Sequence, residues 1–119
     1  MKKIMLVDDV DISNFIMKKL IANATPQNKV YDFNQPEKAL ELLHEIEPDV
    51  IFLDLNMPVI DGWQFLDAMK EKGLNNKVFI LTSSPSDFDK QRSLGYTNVL
   101  DFLIKPLTSN AIAGIIESV

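Results

Sequence analysis

The sequence lacks cysteine altogether and has a single histidine, His44. Without thiols the chain can form neither disulfides nor zinc–cysteine sites, and this composition fits a reducing cytoplasm. The sequence also has no apolar run near the roughly 20 residues that a membrane-spanning helix needs. Only the short apolar run Ile4–Val7 separates the first lysines from the first acids, so we expect no signal peptide.

Basic residues are outnumbered, since 12 Lys and Arg against 17 Asp and Glu leave a net charge of −5. An acidic chain repels phosphate backbones, so we expect no direct binding to nucleic acid. Hydrophobic residues make up 46% and charged residues 24% of the 119 positions. These proportions exclude disorder and predict one folded domain over residues 1–119.

Short apolar runs alternate with helix-like segments along the whole chain. Five runs have the length of strands: Ile4–Val7, Lys29–Phe33, Val50–Leu53, Val78–Leu81 and Val99–Ile104. Between them apolar residues recur at helical spacing, as at Ile12, Phe15, Ile16 and Leu20, and Ser86 has the character of a helix N-cap. Apolar strands separated by helices predict an α/β fold, (βα)₅, with a doubly wound parallel sheet covered on both faces.

Acids, hydroxyl groups or a lysine end or follow four of the five predicted strands. They are Asp8 and Asp9 after the first, Asp54 at the end of the third, Thr82, Ser83 and Ser84 after the fourth, and Lys105 with Pro106 after the fifth. Because ligands of parallel α/β sheets bind outside the carboxyl ends of the strands, we expect these groups to share one site. Any single acid could be a helix N-cap or a solvated loop residue, but the combination favours a functional site.

The predicted site favours metal-assisted phosphoryl chemistry. Clustered carboxylates repel one another unless a cation neutralises them. Without cysteine, and with His44 far from these strand ends, the available ligands are oxygens, which suit a hard divalent cation such as Mg²⁺. Lys105 adds a positive charge and Thr82 a hydroxyl donor, both suited to a phosphoryl group. An aspartate in such surroundings can be a nucleophile that forms an aspartyl phosphate.

Four segments resemble the receiver domain of two-component response regulators, and the resemblance spans essentially the whole chain. The segments are Leu6-Val7-Asp8-Asp9, Leu53-Asp54-Leu55-Asn56-Met57-Pro58 with Asp61-Gly62, Leu81-Thr82-Ser83-Ser84, and Ile104-Lys105-Pro106-Leu107. They occur in the family's order, each at a predicted strand end, which makes the resemblance specific. It implies the flavodoxin-like strand order 2-1-3-4-5. The chain would be a stand-alone, chemotaxis-type single-domain regulator, which we favour, or a receiver that is part of a longer regulator.

The resemblance also implies a phosphorylation site. Asp54 would accept a phosphoryl group from the phosphohistidine of a sensor histidine kinase or a phosphotransfer protein. Asp9, Asp54 and the backbone carbonyl of Asn56 would ligate Mg²⁺, and Asp8 would assist through water. Lys105 would pair with Asp54 and then with the phosphate.

The same resemblance implies a switch and an output. Thr82 would reach toward the phosphate, and Phe102, three residues before Lys105, would turn inward behind it. Asn56 and Ser84 would tune the lifetime of the phosphate. The Lys105–Pro106 bond is expected to be cis, since this is common in the family.

The implied function is that of a cytoplasmic signalling protein. It would assist its own phosphotransfer and dephosphorylation without being an enzyme toward other substrates. It would regulate a protein partner through its fourth helix, fifth strand and fifth helix, with no membrane partner. The segment from Gly95 to Lys105 is longer than the family's common pattern, so we expect an altered end to the fourth helix.

Two other interpretations stay open at this point. Asp9-Val10-Asp11-Ile12-Ser13 superficially fits the opening motif of haloacid-dehalogenase-type phosphohydrolases, in which Asp9 would be the nucleophile. Against this, the chain is short for that fold and only Glu117 follows Lys105 where an acidic motif is expected. A receiver that binds partners without being phosphorylated is disfavoured, because every acceptor-site residue is present.

Overall fold

A computed structural model describes residues 1–119 as five parallel strands that alternate with five helices. The strands are β1 (Lys3–Val7), β2 (Lys29–Phe33), β3 (Val50–Asp54), β4 (Val78–Thr82) and β5 (Val99–Ile104). The helices are α1 (Asp11–Ala24), α2 (Pro36–Ile46), α3 (Gly62–Glu71), α4 (Asp87–Ser93) and α5 (Ser109–Ser118). The sheet order β2-β1-β3-β4-β5 confirms the predicted architecture.

Alternation along the central strands divides the core into two layers, one on each face of the sheet. Met5, Val7 and their counterparts on β3 and β4 pack with α2 and α3 in a cluster of 14 buried residues. Ile4 and Leu6, with the other face of the same strands, pack with α1 and α5 in a cluster of 10 buried residues. Both faces are therefore apolar, as a parallel sheet between two helical layers requires.

Local sequence signals set most of the helix starts. The Asp61 side chain accepts a hydrogen bond from the Gln64 backbone N–H, and the Gln64 side-chain oxygen accepts one from the Asp61 backbone N–H, both at 2.9 Å. This reciprocal pair is a capping box at the start of α3. The Ser86 hydroxyl accepts from the backbone N–H of Asp89 at the start of α4, as predicted. Pro36 opens α2, where the N–H that it lacks would have no helical partner. None of the five helices has the length and hydrophobicity needed to cross a membrane.

The first helix presents a different face to the core from the one that its apolar spacing marks. Its buried residues are Asn14, Met17 and Ile21. Ile12, Phe15 and Ile16, which we name the α1 patch, are 60%, 55% and 51% exposed. Helix α1 carries two apolar stripes at helical spacing, and the sheet covers only one of them.

The segment around α4 departs from the regularity of the rest of the sheet. The β4–β5 register shifts between Val78 and Phe79, so that Val99 pairs with Val78 while Asp101 pairs with Phe79. Helix α4 has only seven residues, of which Ser93 alone is buried. The predicted change at the end of the fourth helix, relative to the family's common pattern, stays a prediction.

Candidate functional site

The fold brings together the three acids that the sequence places at strand ends. One carboxylate oxygen from each of Asp8, Asp9 and Asp54 lies within 4.8 Å of the others. Asp8 and Asp54 are only 6% and 7% exposed. This group at the carboxyl edge of β1 and β3, which we name the acidic mouth, results from the parallel pairing of the two strands.

Lys105 enters the acidic mouth from the end of β5. Its Nζ donates to Asp8 Oδ2 at 2.7 Å and lies 3.6 Å from Asp54 Oδ1. Asp8 is therefore its hydrogen-bond partner and Asp54 a weaker ion-pair partner, whereas the resemblance implied pairing with Asp54. The backbone N–H of Lys105 donates to the Thr82 carbonyl at 2.8 Å, which continues the β4–β5 pairing to the rim of the site. The Lys105–Pro106 peptide bond is cis, as predicted.

The environment of Asp54 disfavours its charged form. Burial, followed by the negative charge of Asp8, raises the pKa of Asp54 from 3.8 to about 6. The Lys105 ammonium and a backbone hydrogen bond from Asn56 lower this pKa, and Asp9 raises it further. Lys105 therefore does not fully compensate the negative charges, and the acidic mouth has an unmet demand for positive charge.

A hard cation fits this demand. Asp8 already has both carboxylate oxygens engaged, because the backbone N–H of Val10 donates to Oδ1 at 3.0 Å and Lys105 donates to Oδ2. Asp9 Oδ1, in contrast, is buried without any hydrogen-bond partner. An unpartnered buried carboxylate oxygen beside Asp54 is the feature that a divalent cation with oxygen ligands would satisfy.

Thr82 closes the site from the end of β4. Its side chain is completely buried, and its Oγ1 accepts from Asn56 Nδ2 at 3.3 Å and from the Ser84 backbone N–H at 3.1 Å. Both bonds use the oxygen as acceptor, so the hydroxyl proton stays free for donation. Asn56 and Ser84 are exposed at the rim.

Phe102 lies away from the acidic mouth. It pairs in register with Ile80 and packs, half-buried, against the core layer of α2 and α3. It also lines a cavity of about 320 Å³ between α4 and β5, together with Leu94 and Leu100. Phe102, the predicted aromatic switch residue, therefore lies next to α4, so a change in its packing would also change the packing of α4.

The loop between β3 and α3 folds back tightly beside Asp54. A Cβ on Gly62 would lie 2.9 Å from the Leu55 Cα, so any larger residue would force this loop away. Val59, at the tip of the loop, has a φ of 68° and its side chain is 86% exposed. A β-branched residue in this region of φ is strained.

Sequence reasoning missed one buried residue of the site. The amide of Asn14 is 3% exposed and donates to the backbone carbonyls of Asp8 and Phe33. The available signal was a polar residue at helical spacing from Met17 and Ile21, within the stripe that α1 buries. The exposure of the α1 patch was missed as well, because its spacing indicates a helix but not which stripe of that helix faces the sheet.

Comparison with known proteins agrees with this geometry. The family described as "Response regulator receiver domain" matches residues 4–117. The nitrate/nitrite response regulator protein NarL of Escherichia coli K12 is 34% identical over 86 residues, covering 72% of this chain and 40% of NarL. The cyclic di-GMP phosphodiesterase response regulator RpfG of Xanthomonas campestris is 30% identical over 105 residues, covering 87% of this chain and 28% of RpfG. The chain thus spans less than half the length of these relatives.

Solved structures share the architecture over nearly their full length. A two-component response regulator from Cytophaga hutchinsonii superposes with a TM-score of 0.86 at 28% identity, covering 98% of this chain and 94% of that one. The chemotaxis protein CheY4 of Vibrio cholerae superposes with a TM-score of 0.86 at 23% identity, covering 100% and 98%. The latter similarity supports the fold alone.

Proposed function

Because the chain belongs to the receiver-domain family of two-component response regulators, we propose that it is a signalling switch that is phosphorylated on Asp54. The observation that carries this proposal is the acidic mouth itself, in which three acids and Lys105 meet at the carboxyl edge of the sheet. Asp54 is buried and forms only a loose ion pair with Lys105 at 3.6 Å, whereas both carboxylate oxygens of Asp8 accept hydrogen bonds. The weaker hold on its carboxylate supports Asp54 rather than Asp8 as the acceptor.

The proposed step is an in-line phosphoryl transfer. A carboxylate oxygen of Asp54 forms a P–O bond while the P–N bond of the donor phosphohistidine breaks. The electron pair of the broken bond stays on the imidazole nitrogen, which takes up a proton. Lys105 Nζ, within reach of both Asp8 and Asp54, would move toward the new phosphoryl oxygens, and the free hydroxyl proton of Thr82 would donate to one of them. The chain assists this transfer and the later hydrolysis of its aspartyl phosphate, in which water takes the phosphoryl group as inorganic phosphate and the Asp54 carboxylate is restored, without any other substrate.

Asp9, Asp54 and the backbone carbonyl of Asn56 are the groups that we propose to hold Mg²⁺, with Asp8 contributing through water. The unpartnered Oδ1 of Asp9 and the close approach of the carboxylates support this assignment. When bound, Mg²⁺ supplies positive charge that lowers the pKa of Asp54 and balances the phosphoryl oxygens.

The phosphodonor would dock beside the acidic mouth on α1. The α1 patch is apolar and half-exposed, and a neighbouring cavity of about 260 Å³ is lined by Ile16, Met17, Leu20, Pro106 and Leu107. Lys105 lines the same cavity, so this surface is continuous with the site that receives the phosphoryl group. We propose that an apolar helix of a histidine kinase or phosphotransfer protein covers this surface.

The output would be carried by α4, β5 and α5. When Thr82 turns toward the phosphate, its bonds to Asn56 and Ser84 are exchanged, and the end of β4 shifts against β5. Phe102 and the cavity beside it can absorb such a shift by repacking. Exposed apolar residues on this side, Phe88, Leu94, Leu100 and Ile104, suit a protein target rather than nucleic acid or membrane.

Such signalling would take place in the cytoplasm. Asn56 and Ser84, at the rim of the acidic mouth, would set how long the phosphate survives.

The test is phosphorylation by acetyl phosphate with Mg²⁺, followed by intact-mass measurement and mapping of the modified residue. We expect one phosphoryl group on Asp54, lost entirely in Asp54→Asn, while Asp87→Asn on the exposed start of α4 behaves as the native chain. Asp9→Asn should slow the reaction and raise the Mg²⁺ requirement but leave Asp54 as the modified residue. Modification of Asp9, or none under these conditions, would contradict the proposal and favour the phosphohydrolase or the unphosphorylated interpretation.

A further inference from the structure

Asn14 is a polar residue on the buried face of helix α1, next to the apolar residues Met17 and Ile21. It lies on the buried face of α1 between the β1 end and the core layer of α1 and α5, and it is only 3% exposed. Burying an amide costs free energy unless its hydrogen bonds are made. Both protons of its Nδ2 are used, one on the Asp8 carbonyl at 2.9 Å and the other on the Phe33 carbonyl at 3.2 Å.

We infer that Asn14 is a positioning residue for the metal-binding acids, an inference that rests on the proposed function. The carbonyl of Asp8 belongs to the same peptide plane as the backbone N–H of Asp9. By holding this carbonyl, the Asn14 amide fixes the rotation of that plane and thereby the direction in which the Asp9 side chain leaves the backbone.

The remaining bonds of Asp8 show why this plane is the one that needs support. Its N–H donates to the Phe33 carbonyl at 3.1 Å, and its carboxylate accepts from Val10 and Lys105. Asp8 is thus held at its N–H and its side chain by other residues, and at its carbonyl by Asn14. Asp9 Oδ1, in contrast, has no hydrogen-bond partner, so the direction of its carboxylate depends on the backbone that carries it.

Phe33 lies at the end of β2, which flanks β1 in the sheet. Its carbonyl receives both the Asp8 N–H and an Asn14 proton. Loss of the Asn14 amide would leave that carbonyl paired with Asp8, whereas the Asp8 carbonyl would lose its side-chain donor. The predicted damage is therefore local to the Asp8–Asp9 peptide plane, and the β1–β2 pairing stays intact.

The inference is tested by calorimetric titration with Mg²⁺ of the native chain, Asn14→Ala and Asn14→Ser. A matched control is Asn76→Ala, since the Asn76 amide also donates to a backbone carbonyl, that of Pro48 at 3.1 Å, but before the amino ends of β3 and β4. Groups that orient metal ligands typically contribute about 10–100-fold in affinity. We expect Mg²⁺ binding to weaken about tenfold or more in both Asn14 variants and to stay within about twofold of native in Asn76→Ala.

Phosphorylation by acetyl phosphate distinguishes orientation from a general loss of structure. In the Asn14 variants the Mg²⁺ concentration for half-maximal rate should rise, while the rate at saturating Mg²⁺ recovers most of its native value. A second measurement uses the native chain and so does not depend on whether a variant folds. During the Mg²⁺ titration, nitrogen–proton spectra should show a shift of the Asn14 side-chain amide signals and no shift of those of Asn76. Native Mg²⁺ affinity in folded Asn14 variants, or an unresponsive Asn14 amide in a native chain that binds Mg²⁺, would overturn the role of Asn14 alone. A native chain that binds no Mg²⁺ would overturn the proposed function as well.

Discussion

Strand β3 and the α4–β5 region differ sharply in how many of their residues are buried. Every residue of β3 is buried, up to and including Asp54. Strand β5 has no buried residue, and α4 beside it buries only Ser93. Phosphorylation would thus occur on a fully buried strand, while the surface that we propose to respond buries few of its side chains. Elements with few buried contacts can rearrange at low free-energy cost, so a modest change at Thr82 is sufficient to move them.

The largest expected contrast comes from aromatic truncations in the two regions. Phe52 on β3 is 1% exposed and stacks on Phe79 with ring centroids 5.8 Å apart. Phe52→Ala should lower the free energy of unfolding by about 4 kcal/mol, because it leaves a cavity in the core. Phe88→Ala on α4, where the ring is 75% exposed, should change it by less than about 0.5 kcal/mol. Urea denaturation measures both, and similar losses in the two variants would remove the contrast.

The second effect concerns the charge that β3 buries. Folding raises the pKa of Asp54 from 3.8 to about 6. The Asp54 carboxyl group therefore holds its proton more tightly in the folded protein than in the unfolded chain. Stability without metal should therefore fall as the pH rises from about 4 to 6 and stay reduced above that range. Asp54→Asn removes this penalty and should raise the free energy of unfolding at neutral pH by up to about 3 kcal/mol.

The pH series contains its own check on this interpretation. Below about pH 4 both states of the native chain hold the proton, so the gain from Asp54→Asn should disappear there. Asp87→Asn on exposed α4 should show no comparable gain at any pH. Denaturation in the presence of EDTA gives these values, and a gain that does not depend on pH would rule out burial of the charge as its cause.

A smaller effect tests strain in the loop that leaves β3. Val59 has a φ of 68°, and a hydrogen bond from the Ile60 N–H to the Pro58 carbonyl, 2.8 Å long, closes the turn around it. Val59→Gly should raise the free energy of unfolding by about 1 kcal/mol, because relief of strain exceeds the entropy that glycine adds to the unfolded chain. Ser83→Gly, at a position without positive φ, should lower it slightly. Thermal unfolding compares the two.

The smallest effect concerns what holds α4 in place. The Arg92 guanidinium lies 4.6 Å from the centre of the Trp63 ring, which in turn stacks on Tyr96. Arg92→Ala should cost about 0.5–1 kcal/mol and should speed amide hydrogen exchange within α4. Lys90→Ala, in the same last turn of the helix, serves as the control. Equal exchange rates in both variants would show that the stack does not anchor α4.

The sequence predicted the fold well, because its strongest signals are local and repeated. The apolar runs at Ile4–Val7, Val50–Leu53 and Val78–Leu81 each became a buried strand, extended by one residue at one end. Parallel order then carried the strand-end acids to one edge, so the acidic mouth followed from topology rather than from any single motif. Their roles in phosphorylation stay predictions that the proposed experiments address.

Two features of the site lay beyond sequence reasoning. The spacing of Ile12, Phe15 and Ile16 indicates a helix equally well whether that stripe faces the sheet or solvent, and the structure leaves it exposed. Likewise, several carboxylates in the sequence could pair with Lys105, and only the position of the end of β5 makes Asp8 its hydrogen-bond partner. Neighbouring residues in the sequence indicate neither the covered face of α1 nor the partner of Lys105.

By itself, the order of residues determined the strands, the helices and the inventory of acids, hydroxyls and one lysine at the carboxyl edge, because periodicity and capping act over a few neighbouring positions. Tertiary structure alone decided which face of α1 is covered, that Asn14 holds the Asp8 carbonyl, and that Lys105 meets a carboxylate 97 residues away. Such contacts depend on how whole elements pack, and their geometry exists only once the sheet and both helical layers are assembled.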